Sequence, residues 1–157
     1  MISKYLFTLV ALLLWLLTFC IGAFVDSNPL RQKLAQHFDV GDFLLIVSAW
    51  IPTNLAFLSI LAGLSGALCR SLLRSFEVGQ EQIRPEKERS RILGGAVAGL
   101  LFYLSLMAGA FLLMDQPFET TTKEQYFRVA GVVSFIGFIA GFRPDLLRRL
   151  LDKLPGF

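Results

Sequence analysis

The most polar group that this sequence sets inside an apolar run is an amide. Asn54 falls within Phe43–Leu68, shortly after Pro52, with Thr53 before it and Ser59 further along the same run. An amide or hydroxyl in hydrocarbon needs a hydrogen-bonding partner on another helix or on a ligand. Thr53, Asn54 and Ser59 are therefore read as ties between helices, with a narrow polar path or ligand contact as the alternative. Thr8, Thr18, Ser48, Ser65, Ser105 and Ser134 add hydroxyls elsewhere in apolar surroundings.

Stronger chemistry is sparse. A membrane enzyme, pump or proton carrier sets ionisable groups within its spans, because a charge there is costly and is kept where it is used. The four long apolar runs, the last of them Val129–Phe142 between Arg128 and Arg143, contain no Asp, Glu, Lys, Arg or His. The single histidine, His37, has no neighbouring ligand residues, and Asp39 with Asp42 offers too few oxygens for a hard cation. Cys20 and Cys69 show no Cys-x-x-Cys spacing and are read as small packing residues. No Gly-x-Ser-x-Gly, His-Glu-x-x-His or phosphate-binding glycine loop followed by Lys occurs. The expectation is a protein with no catalytic residues, no cofactor and no metal site.

The elements that position these residues follow from hydropathy. Of 157 residues, 55% are hydrophobic and 17% charged, and mean hydropathy is +0.62. The apolar residues come in runs long enough to cross about 30 Å of hydrocarbon as helices. The sequence predicts an all-α integral membrane protein, a single domain with spans at about 5–25, 43–68, 92–114 and 127–142. The first run is too long for the apolar core of a leader peptide and no Ala-x-Ala follows it, so it is read as a span. Pro52 is expected to kink the second, with Asn54 near the middle of the membrane. The fourth is the shortest, and a re-entrant segment is its alternative. Short amphipathic interfacial helices are expected from Pro29 in the first outer loop, with Leu30, Leu34 and Phe38 on one face, and from Pro144 in the tail.

Lys and Arg fix the expected orientation, since cationic loops stay on the cytoplasmic side. Eleven of the 15 fall at the N-terminus, in the loop 69–91 and in the tail 144–157 with Arg143 before it, whereas Arg31, Lys33, Lys123 and Arg128 fall in the other loops. Both termini are expected inside, in an inner-membrane type of location. Arg70, Arg74 and Arg84 with Arg148, Arg149 and Lys153 then form a basic cytoplasmic face, read as a docking platform for a soluble protein or for lipid. The basic excess is a membrane feature, and no nucleic-acid binding is expected.

Small residues supply the packing signal. Gly95 and Gly99 lie one helical turn apart, as do Gly137 and Gly141, which sets bare backbone on one helix face for close approach. Such faces on more than one span suggest a homo-oligomer. The functional expectation is a non-catalytic membrane subunit that anchors, senses or signals through its cytoplasmic face. A small homo-oligomeric channel is the alternative, and a small-molecule transporter ranks third.

Overall fold

The computed structural model describes residues 2–25, 32–35, 37–78, 85–113 and 122–143, with side chains at 4–25, 32–35, 37–76, 88–113 and 122–143. The described residues form helices and short connections, with no strand among them. Helix α1 is Ile2–Phe24, α2 is Val40–Ala49, α3 is Ile51–Val78, α4 is Pro85–Leu113 and α5 is Lys123–Phe142. Four of the five are long and apolar enough to cross a membrane, over Lys4–Phe24, Ile51–Phe76, Glu88–Leu113 and Lys123–Phe142.

The second apolar run is not one kinked helix. A helix continued through Pro52 would leave the Ser48 carbonyl without its donor and press the ring against it. The chain breaks at Trp50 instead, whose φ of −65° and ψ of 123° are extended. Pro52 then falls in the first turn of α3, where its missing N–H has no intrahelical acceptor to lose. Helix α2, at about 15 Å, is too short to cross a bilayer. Its start is fixed by Asp39, whose carboxylate accepts from the backbone N–H of Gly41 at 2.6 Å and of Asp42 at 3.3 Å.

The expected connector 69–91 is largely helical. Nothing between Leu68 and Val78 breaks a helix, so α3 runs on, and Pro85 opens α4 at the first helical position. The fourth span is likewise longer than its apolar run. Thr122 caps α5 in a capping box, its hydroxyl accepting from the Gln125 N–H at 3.2 Å while the Gln125 side chain accepts from the Thr122 N–H at 2.9 Å. Helix α5 ends at Phe142, because Arg143 precedes Pro144 and is pushed out of the helical region. As one unbroken helix of 20 residues, α5 has the length of a full crossing and shows no re-entrant turn. The surface helix expected from Pro29 lies mostly outside the described residues, apart from a helical turn at 32–35, and the tail helix from Pro144 lies wholly outside them.

Helix α3 is the hub. It packs against α1, α4 and α5, α4 and α5 also meet each other, and α2 touches α1 and α3. Half of the apolar stretch of α3 is buried, against 11% of that of α1, so α1 lies along the outside of the bundle. Paired positions give the directions. Rising numbers on α1 and α4 meet falling numbers on α3, whereas α5 runs parallel to α3. One end of the bundle therefore gathers the start of α1, the end of α3, the start of α4 and the end of α5.

The core between these helices holds Leu55, Leu58, Tyr103, Met107, Tyr126 and Ala130. Large apolar side chains also cover the outside: Leu6, Leu9, Leu13 and Leu16 on α1, Leu93, Val97 and Leu101 on α4, Val132 and Phe135 on α5 are all exposed. An apolar surface of this extent on several faces suits a lipid surround.

Candidate functional site

Three constructions occupy the bundle: an amide-centred knot near one end, a glycine seam along its length, and a cationic rim at the other end. The knot begins with the break at Trp50. Ending α2 there frees the carbonyls of Val47 and Ser48, and the next residues turn back to meet them. The Thr53 hydroxyl donates to the Val47 carbonyl, and Asn54 Nδ2 donates to Ser48 O at 2.8 Å. The same Nδ2 donates to Thr18 O on α1 at 2.8 Å, and Asn54 Oδ1 accepts from the Tyr126 hydroxyl of α5 at 2.7 Å. Both amide protons and one carbonyl lone pair are thus engaged, with Asn54 fully buried. The knot joins α1, α2, α3 and α5.

Asn54 is in the first turn of α3, level with the last two turns of α1 and the first turn of α5, not at the middle of the bundle as the sequence suggests. The break at Trp50 accounts for the difference, since it moves the start of the crossing helix to Ile51. Gly22 completes the knot: a Cβ there would lie 2.6 Å from Asn54 Oδ1 and would overlap the Tyr126 oxygen. Below it, Trp15 Nε1 donates to Ser134 Oγ at 3.0 Å, tying α1 to α5, and the Tyr103 hydroxyl donates to Pro52 O at 2.6 Å, tying α4 to α3.

The seam lies where α3, α4 and α5 meet. Ser59, fully buried, donates to Gly99 O at 2.7 Å. A Cβ on Gly137 would stand 2.9 Å from Ser59 O, and one on Gly99 or Gly141 would overlap the carbonyl of Ser59 or Gly63. Gly95 meets Ala67 and the Gly63 carbonyl in the same way. All four glycines singled out in the sequence thus pack within one chain, where backbone approach brings Cα–H groups near carbonyl oxygens.

At the rim, Lys4 Nζ stands 2.6 Å from Glu88 Oε1 and donates to Ser75 Oγ at 3.3 Å. The Ser71 hydroxyl also donates to Glu88, so α1, α3 and α4 are tied at this end. Arg70, Arg74, Arg89, Arg91 and Arg143 share it and are exposed. Arg84, Arg148, Arg149 and Lys153 lie outside the described residues. At the opposite end Lys33 pairs with Asp42 at 3.0 Å, and that hydrogen bond, then the carboxylate's charge, holds the ammonium pKa above the ordinary lysine value. Arg128 pairs with Glu124 at 2.6 Å.

The sequence by itself does not single out Tyr126, Gly22, Trp15 or Glu88 as pairing residues. Their partners lie far away along the chain, and no local spacing announces them. No group of three or more His, Cys, Asp or Glu among the described residues converges as a metal site would.

Fold and site together define an all-helical bundle with four helices long and apolar enough to cross a membrane, knotted by buried hydrogen bonds and closed by a glycine seam. No family model matches the chain, and comparison with curated proteins and with solved structures finds no significant match.

Proposed function

We propose that this chain is a multi-pass integral membrane protein of inner-membrane type, with both termini cytoplasmic, which anchors or signals to a soluble partner through its cationic face and carries out no catalysis. The observation that supports this reading is how the bundle uses its polar groups. Thr53, Asn54 and Ser59, the residues best suited to line a path, each bond a backbone carbonyl of the bundle. The seam around Ser59 has no room even for a methyl group at Gly99 or Gly141. A bundle closed in this way offers its ends as working surfaces, and five of the six described arginines, all but Arg128, gather at one of them.

Homo-oligomerisation has less support than the sequence alone gives it. Its argument rested on spare small-residue faces, and Gly95, Gly99, Gly137 and Gly141 are used inside one chain.

The test uses two measurements. Reconstituted alone in liposomes, the protein should pass no more ions than lipid alone. In cells, the triple variant Arg148→Glu, Arg149→Glu, Lys153→Glu should insert normally, because the cations of the 69–91 region hold the orientation. It should also lose a soluble partner that co-purifies with the wild type. Substantial ion flux through the wild-type protein alone would replace this reading with a pore.

A further inference from the structure

Near the lower end of the glycine seam, α3, α4 and the end of α5 each carry an arginine within one helical turn of a close backbone contact. Gly95 of α4, Ala67 of α3 and Gly141 of α5 meet there: a Cβ on Gly95 would stand 2.5 Å from Ala67 Cβ and 3.5 Å from Gly141 Cα. Arg91 lies one turn before Gly95 on the same face of α4, and Arg143 follows Gly141 by two residues. Gly66, where a Cβ would stand 2.9 Å from Phe142 N, sets the α5-facing side of α3, and Arg70 is one turn beyond it. Arg74 continues that face by another turn.

The described charge at this rim is mainly positive. Among the described side chains at this end, Arg74, Arg89, Arg91 and Arg143 stand with a single carboxylate, Glu88. Glu88 is held from the α1 side by Lys4 and by the Ser71 hydroxyl. Its charge is therefore largely met before Arg91 is counted.

We propose that this rim is a binding site for the phosphate of an anionic phospholipid, with Arg91 and Arg143 as principal contacts and Arg74 beside them. The proposal rests on the reading that the bundle crosses a bilayer. Depth favours lipid over a soluble protein. Arg91 abuts Ile92 and Arg143 abuts Phe142, so both guanidinium groups start where the apolar surface ends, in the layer that phosphates occupy. Leu93, Val97 and Phe135, exposed on α4 and α5, provide apolar surface for acyl chains. Guanidinium suits the ligand because its planar fork can take two phosphate oxygens at once. Arg84, Arg148, Arg149 and Lys153, further along the chain from the apolar boundary, remain for a soluble partner.

The test measures lipid retention on the full chain purified in a neutral detergent, with phosphatidylglycerol and phosphatidylcholine of the same acyl chains as probes, by native mass spectrometry and thermal melting. Phosphatidylglycerol should be retained preferentially and raise the melting temperature. Each of Arg91→Gln and Arg143→Gln should weaken that retention about fivefold, as expected for one cation at a lipid phosphate. Arg128→Gln, at the opposite end and paired with Glu124, should leave it unchanged. For wild-type protein, rising KCl should erode the preference, which tests the charge contribution without any variant. Equal retention of the two lipids, or equal loss in Arg128→Gln, would overturn the site. So would an equal melting shift with inorganic phosphate, which would assign the rim to a free anion. Loss of a co-purifying soluble protein in Arg91→Gln with lipid retention intact would assign it to a protein partner. The micelle assay is blind to orientation, so failure here leaves the topology reading standing, and reversed topology in cells leaves the lipid preference measurable.

Discussion

Asn54 shows how one buried side chain can decide how helices meet. Its amide closes the gap left by Pro52 in α2, bonds α1 and receives the Tyr126 hydroxyl, so replacing it removes a donor from Ser48 O and Thr18 O and leaves the phenol only its longer bond to Phe19 O at 3.3 Å. Measured interhelical hydrogen bonds in membranes average about 0.6 kcal/mol, but stranded groups cost more. Asn54→Ala should therefore destabilise the folded protein by about 2 kcal/mol in detergent unfolding. Tyr126→Phe, which leaves the amide its other bonds, should cost about 0.6 kcal/mol. The double variant should cost less than the sum of the two, because the second change removes a bond already lost. Strict additivity would mean that Asn54 and Tyr126 do not share this hydrogen bond. Gly22→Ala should be at least as harmful as Tyr126→Phe, since its methyl group would occupy the space of the phenol oxygen.

At the scale of elements, the glycines divide into two sets that look alike in sequence. Gly99 and Gly141 have another helix's carbonyl where a Cβ would go, whereas Gly109 and Gly131 have nothing within 4 Å. Gly99→Leu or Gly141→Leu should force α4 or α5 away from α3 and cost several kcal/mol, on the order of a disrupted core packing site. Gly109→Leu and Gly131→Leu should be nearly neutral by thermal unfolding in detergent. Equal damage from both sets would mean that the outward glycines also meet a partner, and the homo-oligomer would regain its support. The division between α2 and α3 belongs to this scale as well, because a proline near a helix start costs little where the same proline mid-helix would cost about 3 kcal/mol.

For the whole molecule, the alternating directions of α1, α3, α4 and α5 gather Lys4, Arg70, Arg74, Arg89, Arg91 and Arg143 at one end, leaving Lys33, Lys123 and Arg128 toward the other. By the positive-inside rule, the proposed topology has the arginine-rich end in the cytoplasm. In a Cys20→Ala, Cys69→Ala background, Gln80→Cys should react with an impermeant thiol probe only after the inner face is opened, and Lys123→Cys should react in intact cells. The reverse pattern would turn the molecule over and move the basic face outside.

The sequence by itself determined the helical class, the four apolar stretches and the imbalance of cations between alternate loops. These are sums over neighbouring residues: transfer of an apolar stretch into hydrocarbon and retention of a charged loop each depend on local composition, which one chain displays in full. It also marked Asn54 and the paired glycines as interhelical candidates, because a lone amide or a bare helix face in an apolar run needs a neighbour. Only the tertiary structure decided which neighbour. The Asn54 amide found Thr18 and Tyr126, Glu88 found Lys4, and the glycine faces of α4 and α5 both turned to α3. Those choices depend on how helices cross and in what register, and residues far apart in the chain carry no spacing from which register can be read. The same holds for the break at Trp50, where a proline that could have kinked one long helix instead starts a new one, because Thr53 and Asn54 stand ready to take the carbonyls that the break exposes.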